Sequence, residues 1–220
     1  MIQTDLARLV REYDSNSYPD SRYVSFDYCY NHFRTTDDLT KDIEKSCLVL
    51  GFYLASWGMF RGSSFILQKS VKHFQPTIQY IASLPRSVWV IDVDCYTSKN
   101  IQIILHIYND VKRLLVPNGK KDLTLVTKLL LGVFGFIPAF DDNFCKSLRS
   151  IFQEQCGFRV VNEKSLSCIK QFYDANRQEI DKLSNEVFTT DFLTGEKTDI
   201  NYPKAKIVDM YGWQKATGIN

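Results

Sequence analysis

Residues 124–144 of this 220-residue chain, TLVTKLLLGVFGFIPAFDDNF, combine the residue types that come closest to chemistry. An apolar run with helical spacing ends at Gly132 and Gly135. The chain then passes Pro138 and reaches two adjacent carboxylates, Asp141 and Asp142. This pattern predicts a helix, a tight turn and a second helix. Amides at such a turn and at the following helix N-terminus lack intrahelical partners, and with the helix dipole they can hold a phosphate. An Asp at the start of a helix is also its natural N-cap, so capping alone explains the same residue at the same place. Lys128 lies inside the first helix, where its charge predicts a solvent-facing side chain.

A second informative stretch is residues 53–64, YLASWGMFRGSS, with two glycines, a tryptophan and an arginine. Each glycine costs about 1 kcal/mol relative to alanine in a continuing helix. The segment therefore reads either as a kink for close helix packing or as a place where a ligand approaches backbone beside Arg61. Exposed Trp and Arg also commonly anchor protein interfaces.

Other chemistries lack their residues. His32, His73 and His106 are far apart in sequence and form no HExxH or HxE pattern. No metal or cofactor is expected. Neither GxGxxG nor GxxxxGK[ST] occurs, so nucleotide-cradling loops have no support. The six cysteines are scattered without a CxxC pair, and a chain of this length does not need disulfide staples. Free, mostly buried thiols in a reducing, cytoplasmic setting are expected. No apolar stretch reaches the ~18 residues of a membrane span, and the first fifteen residues lack the apolar core of a signal peptide. With 27 basic and 25 acidic residues the formal charge is +2, so any polyanion site must be a local patch.

The elements that must position these residues read as helical nearly throughout. Helices are expected near residues 6–10, 37–54 (opened by a Thr35–Asp38 capping box), 63–73, 77–83, 97–116, 123–134 and from 141 onward, with a last long one over 162–183. Residues 15–33 read as an irregular aromatic arm, and 87–94 as a buried extended link or helical turn. The result is an all-α, multi-helix globule with little or no β-sheet. It is one domain over 1–220, with two lobes meeting near 117–121. A polar C-terminal tail over 185–220 carries a short docked helix at 204–210.

Helix-hairpin-helix DNA glycosylases join a glycine-containing hairpin to a Pro-x-x-Asp passage that opens the next helix. GFIPAFDDNF, residues 135–144, resembles that passage, and Thr127-Lys128-Leu129-Leu130 resembles the stretch before the hairpin in more distant relatives. The resemblance implies a DNA-repair hydrolase acting on double-stranded DNA. Asp141 matches the family's catalytic carboxylate, with Asp142 beside it. Gly132, Gly135 and Lys128 would belong to the DNA-contacting hairpin. No lysine stands at the Schiff-base position, and no four-cysteine cluster follows, which excludes the iron–sulfur subfamily. As the base leaves, positive charge grows on the sugar, and a carboxylate beside C1′ stabilises it. The extruded base needs an aromatic pocket, for which Tyr53, Trp57 and Phe60 are the candidates. Lys112, Arg113, Lys120, Lys121 and Arg61 are the candidate phosphate clamps. This reading requires clamps on the same face as Asp141. Two alternatives stay open: a non-enzymatic protein-interaction module with an aromatic patch near Trp57 and no cleft beside Asp141, and a small-metabolite enzyme with a pocket between lobes.

Overall fold

The computed structural model describes residues 5–15 and 17–217. Among these, ten α-helices and one two-stranded hairpin form the fold. The helices are α1 (Leu6–Ser15), α2 (Ser25–Thr35), α3 (Ile43–Ser56), α4 (Gln75–Ser83), α5 (Ser98–Leu115), α6 (Leu123–Phe134), α7 (Asp142–Phe152), α8 (Glu163–Ala175), α9 (Arg177–Glu186) and α10 (Lys204–Thr217). Strands β1 (Phe188–Thr190) and β2 (Lys197–Asn201) pair antiparallel, with Phe188 opposite Asn201 and Thr190 opposite Lys197. The architecture is all-α. No described helix is long and apolar enough to cross a membrane.

Helix α6 is the central element. Every residue from Leu125 to Phe134 is buried, and burial continues through the turn to Phe140. Helices α2, α3 and α5 surround it, as expected for a helix apolar on all sides. Gly132 lets α3 approach: a Cβ there would lie 2.3 Å from the Tyr53 ring. Gly135 closes α6 in the left-handed conformation (φ 70°), its amide donating to Leu130 and Leu131 carbonyls.

Capping sets several boundaries. Asp42, not the expected Thr35–Asp38 box, caps α3 by accepting from the Lys45 amide. Asp38 instead closes a local turn onto Thr40. Asn176 leaves helical geometry and divides the expected long helix into α8 and α9. Residues 63–73 form two short 3₁₀ turns, Phe65–Gln68 and Val71–Phe74, and residues 87–94 run through two more. The aromatic arm contains α2, whose Phe26, Tyr30 and Phe33 follow helical spacing and face the core. All six cysteines are free, five of them buried.

The C-terminal helix is longer and deeper than expected. Helix α10 runs for 14 residues and is buried from Ala205 to Met210 and beyond, packed on α7 and α1. Gly212 allows the approach, since a Cβ there would meet the Phe144 ring at 2.5 Å. Buried Asp27 ties the hairpin to α2 by accepting from the Thr190 amide and the Tyr202 hydroxyl. Across the turn at 117–121, α5 and α6 pack against each other, and one cluster of buried side chains spans both sides.

Candidate active-site cavity

The turn after α6 is built from inside. The Ala139 amide donates to Asp209 Oδ1 (3.0 Å), and the Phe140 amide donates to Thr127 Oγ1 (2.9 Å). The Thr124 hydroxyl donates to the Phe140 carbonyl at 3.0 Å. These bonds fix the chain just before Asp141. Asp141 then caps α7, its Oδ1 accepting from the Phe144 amide at 3.0 Å. The other oxygen, Oδ2, stays available and lies 3.7 Å from the Lys128 ammonium.

Lys128 is buried, with 6% of its surface exposed, contrary to the solvent-facing expectation. It sits on the one side of α6 that faces a cavity, and its Nζ donates to the Trp57 carbonyl at 2.8 Å. Burial lowers its pKa, and Asp141 and Asp209 oppose that shift. A second pair lies beside it on α10. Lys206 Nζ donates to Asp209 Oδ2 at 3.1 Å, and both side chains are almost fully enclosed. The Lys206 ammonium also lies 4.5 Å from the Trp57 ring, 4.8 Å from Tyr13 and 4.9 Å from Phe26. Burial lowers Lys206 and raises Asp209, while each opposes the shift of the other.

These groups line or underlie a cavity of about 1120 Å³. Its aromatic walls are Tyr13, Tyr23, Trp57 and Trp213, with ring centroids 5.5–6.4 Å apart between Tyr23 and the other three. Asp141, Asp209 and Lys128 line it, and Arg22, Arg61, Lys120, Lys121 and Arg159 are exposed around it. The Trp57 indole N–H is buried without a hydrogen-bond partner. Such orphaned donors are rare in folded proteins.

The candidate residues therefore separate into two groups. Asp141, Asp142, Lys128, Trp57, Arg61, Lys120 and Lys121 share the cavity. Tyr53 does not line it: this ring is wholly buried and its hydroxyl donates to the Lys128 carbonyl at 2.9 Å, which positions α6 instead. Phe60 packs toward Phe74 rather than lining the cavity. Neither Lys112 nor Arg113 lines the cavity: Lys112 is spent on the lining residue Asp122 at 3.0 Å, and Arg113 pairs with Asp110 at 2.9 Å. Gly132 and Gly135 are buried among side chains, so neither offers its amide to a phosphate. The phosphate-holding turn is corrected on this physical ground: the Gly135, Ala139, Phe140 and Asp141 amides all donate to acceptors within the protein.

Tyr13, Tyr23, Arg22, Arg159, Lys206, Asp209 and Trp213 were not legible as site residues. The only sequence signal was the i, i+3 pair Lys206 and Asp209 among Ile207, Val208 and Met210, where unpaired charges would be costly. Among the described residues no group of three or more His, Cys, Asp or Glu side chains is placed to hold a metal ion. No protein-family model, curated protein or solved structure matches the chain, so the functional reading rests on this geometry.

Proposed function

We propose that the chain seats one nucleotide base in this cavity and cleaves its N-glycosidic bond. The observation that carries the reading is a carboxylate, Asp141, fixed by its cap on α7 and lying beside Lys128 in an aromatic-walled cavity ringed by cations. Aromatic walls suit an unstacked base. In the proposed step the C1′–N bond breaks and its electron pair leaves with the base. Asp141 stabilises the positive charge on the sugar. Water adds its oxygen to C1′, and one of its protons is transferred to the departing base.

Double-stranded DNA is the first substrate to test, with the base extruded. Arg61, Lys120 and Lys121 satisfy the requirement that basic residues share a face with Asp141. Trp57 lies in the cavity beside Asp141 rather than on a separate patch, which favours this reading over a protein-docking module. The inward-facing hairpin amides favour a second reading, in which the same cavity acts on a free nucleotide.

The test is a salt-dependent titration of a duplex carrying an abasic-site analogue, followed by base-release assays on damaged-base duplexes and free nucleotides. Asp141→Asn keeps an N-cap oxygen and should abolish base release while binding and melting temperature hold. Asp141→Ala should also lose about 1 kcal/mol of stability with the cap. No duplex binding at low salt sinks the DNA reading. Undiminished base release by Asp141→Asn sinks the chemistry.

A further inference from the structure

The arginines around the cavity are bonded differently from the others. Arg8, Arg11, Arg86, Arg113 and Arg177 pair with carboxylates. Arg34 and Arg149 donate to backbone carbonyls. Among the described residues this leaves Arg22, Arg61 and Arg159 with neither kind of acceptor, and all three line the cavity. An arginine fork carries five donors matched to planar or tetrahedral oxyanions.

Local structure brings each of the three to the cavity. Gly58 adopts the left-handed conformation (φ 76°), and the Arg61 guanidinium lies against it, 3.2 Å from where a Cβ would stand. A side chain at residue 58 would be strained by the positive φ and would crowd the fork. Arg22 lies over the Tyr23 ring at 4.6 Å and spends one N–H on the Tyr23 hydroxyl, leaving its other donors open. Phe158 adopts a positive φ of 46° while its ring is buried beside Phe140 and Phe144, and Arg159 follows it out to the cavity. Backbone strain of this kind persists only where the surroundings enforce it.

The acids nearby do not cancel this charge. Asp141 faces Lys128, Asp209 faces Lys206, and Asp122 is taken by Lys112 and the Tyr108 hydroxyl. Asp142 remains against Arg22, Arg61, Arg159, Lys120 and Lys121. We infer that the cavity mouth is a phosphate-binding subsite, formed by Arg22, Arg61 and Arg159, for the phosphate of a nucleotide whose base enters the cavity. The identification of the phosphate as a nucleotide's rests on the proposed function; the subsite itself is tested without it.

The experiment is calorimetric titration of the full chain, at low salt, with the four deoxynucleosides and their 5′-monophosphates. At least one monophosphate should bind about tenfold or more tighter than its nucleoside, the gain of one good charged contact. In an Arg61→Gln, Arg159→Gln double variant that advantage should disappear while nucleoside affinity is kept. Both side chains are exposed, so folding is expected to survive, and an unchanged melting temperature checks this. A dinucleotide arm separates the sources: tighter binding than the monophosphate identifies a strand, equal binding a free nucleotide. Equal affinity of every nucleoside and its monophosphate, absence of binding by both included, overturns the subsite. So does an advantage that persists in the double variant. Phosphate discrimination without base release retains the subsite and removes the glycosidic reading; base release without discrimination does the reverse.

Discussion

Substituting Gly132 by alanine separates a packing glycine from a ligand-contacting one. The new Cβ would stand 2.3 Å from Tyr53 Cε1 and 2.8 Å from Cζ, far inside contact distance. The Tyr53 ring has no room to swing: it is wholly buried, and its hydroxyl is anchored on the Lys128 carbonyl at 2.9 Å. Overpacking of this kind costs about 1–3 kcal/mol. Breaking the tyrosine hydrogen bond adds about 1 kcal/mol. Alanine returns about 1 kcal/mol through helix propensity. The net is a loss of roughly 1–3 kcal/mol, or about 2–10 °C in melting temperature for a chain of this size. Urea unfolding of Gly132→Ala, and of Gly132→Ala combined with Tyr53→Leu, measures it. The second change vacates the clashing ring atoms and should make the alanine less costly than it is in the wild-type background. A Gly132→Ala protein of wild-type or higher stability that loses only ligand affinity would refute the packing account and restore a binding role to the turn.

Lys206→Met should be among the most destabilising single changes, by about 3–5 kcal/mol, because it leaves buried Asp209 unpaired. Lys206→Met with Asp209→Asn should recover much of that loss in thermal melts; equal or greater destabilisation of the double variant argues against a coupled pair. Stability should fall as pH rises from 4 to 7. Burial raises Asp27 to about 6 and Asp92 to about 7, so the folded chain takes up protons that the unfolded chain, with carboxylates near 3.8, releases. Their stabilising protonation is complete below the unfolded value and is lost through the folded one. For Asp27 alone the full effect is about 3 kcal/mol, of which roughly half falls between pH 5 and pH 8. Unfolding titrations at pH 5 and pH 8, with wild type and Asp27→Asn, should show higher stability at pH 5 and a smaller pH difference in the variant. A stability rising toward pH 8 in the wild type counts against both assignments.

Most helices were legible because their punctuation is chemical. Thr97 caps α5, Asp141 caps α7 and Asn162 opens α8, each with its side-chain oxygen on a first-turn amide. The errors arose where two signals competed. Thr35–Asp38 carries the letters of a capping box, but Asp42 lies closer to the first buried turn and takes the cap. Pro19 and poor helix formers obscured α2, although Phe26, Tyr30 and Phe33 already had helical spacing. At the site, Asp141 was legible because its position after a glycine turn is a local pattern. Lys128 was misread because a charge inside a helix ordinarily points to water. Asp209 and Arg159 were hard to place for a different reason. Lys206 stands only three residues before Asp209, but the Ala139 amide that brings Asp209 to the site is 70 residues away, and Arg159 follows a strained turn at Phe158.

The charge sum of +2 has a similar explanation. A whole-chain total weighs every charge equally, but an ion-paired lysine and a free arginine act differently on a ligand. Lys112, Arg113, Lys170, Arg177 and Lys204 each face a carboxylate within 3.5 Å, and their fields largely cancel at a distance. The cations around the cavity face no such partner, and the walls beside them are aromatic and of low dielectric, which strengthens what charge remains. A near-neutral chain can therefore present a concentrated positive mouth. Such a mouth attracts a single phosphate or a short anionic segment, whereas a duplex gripped along its length requires cations spread over a face. The paired lysines of α5 and α9 do not supply that spread. Under the proposed reading the anionic contact is local to the cavity, and the salt slope of binding should reflect the few cations around it rather than the 27 of the chain.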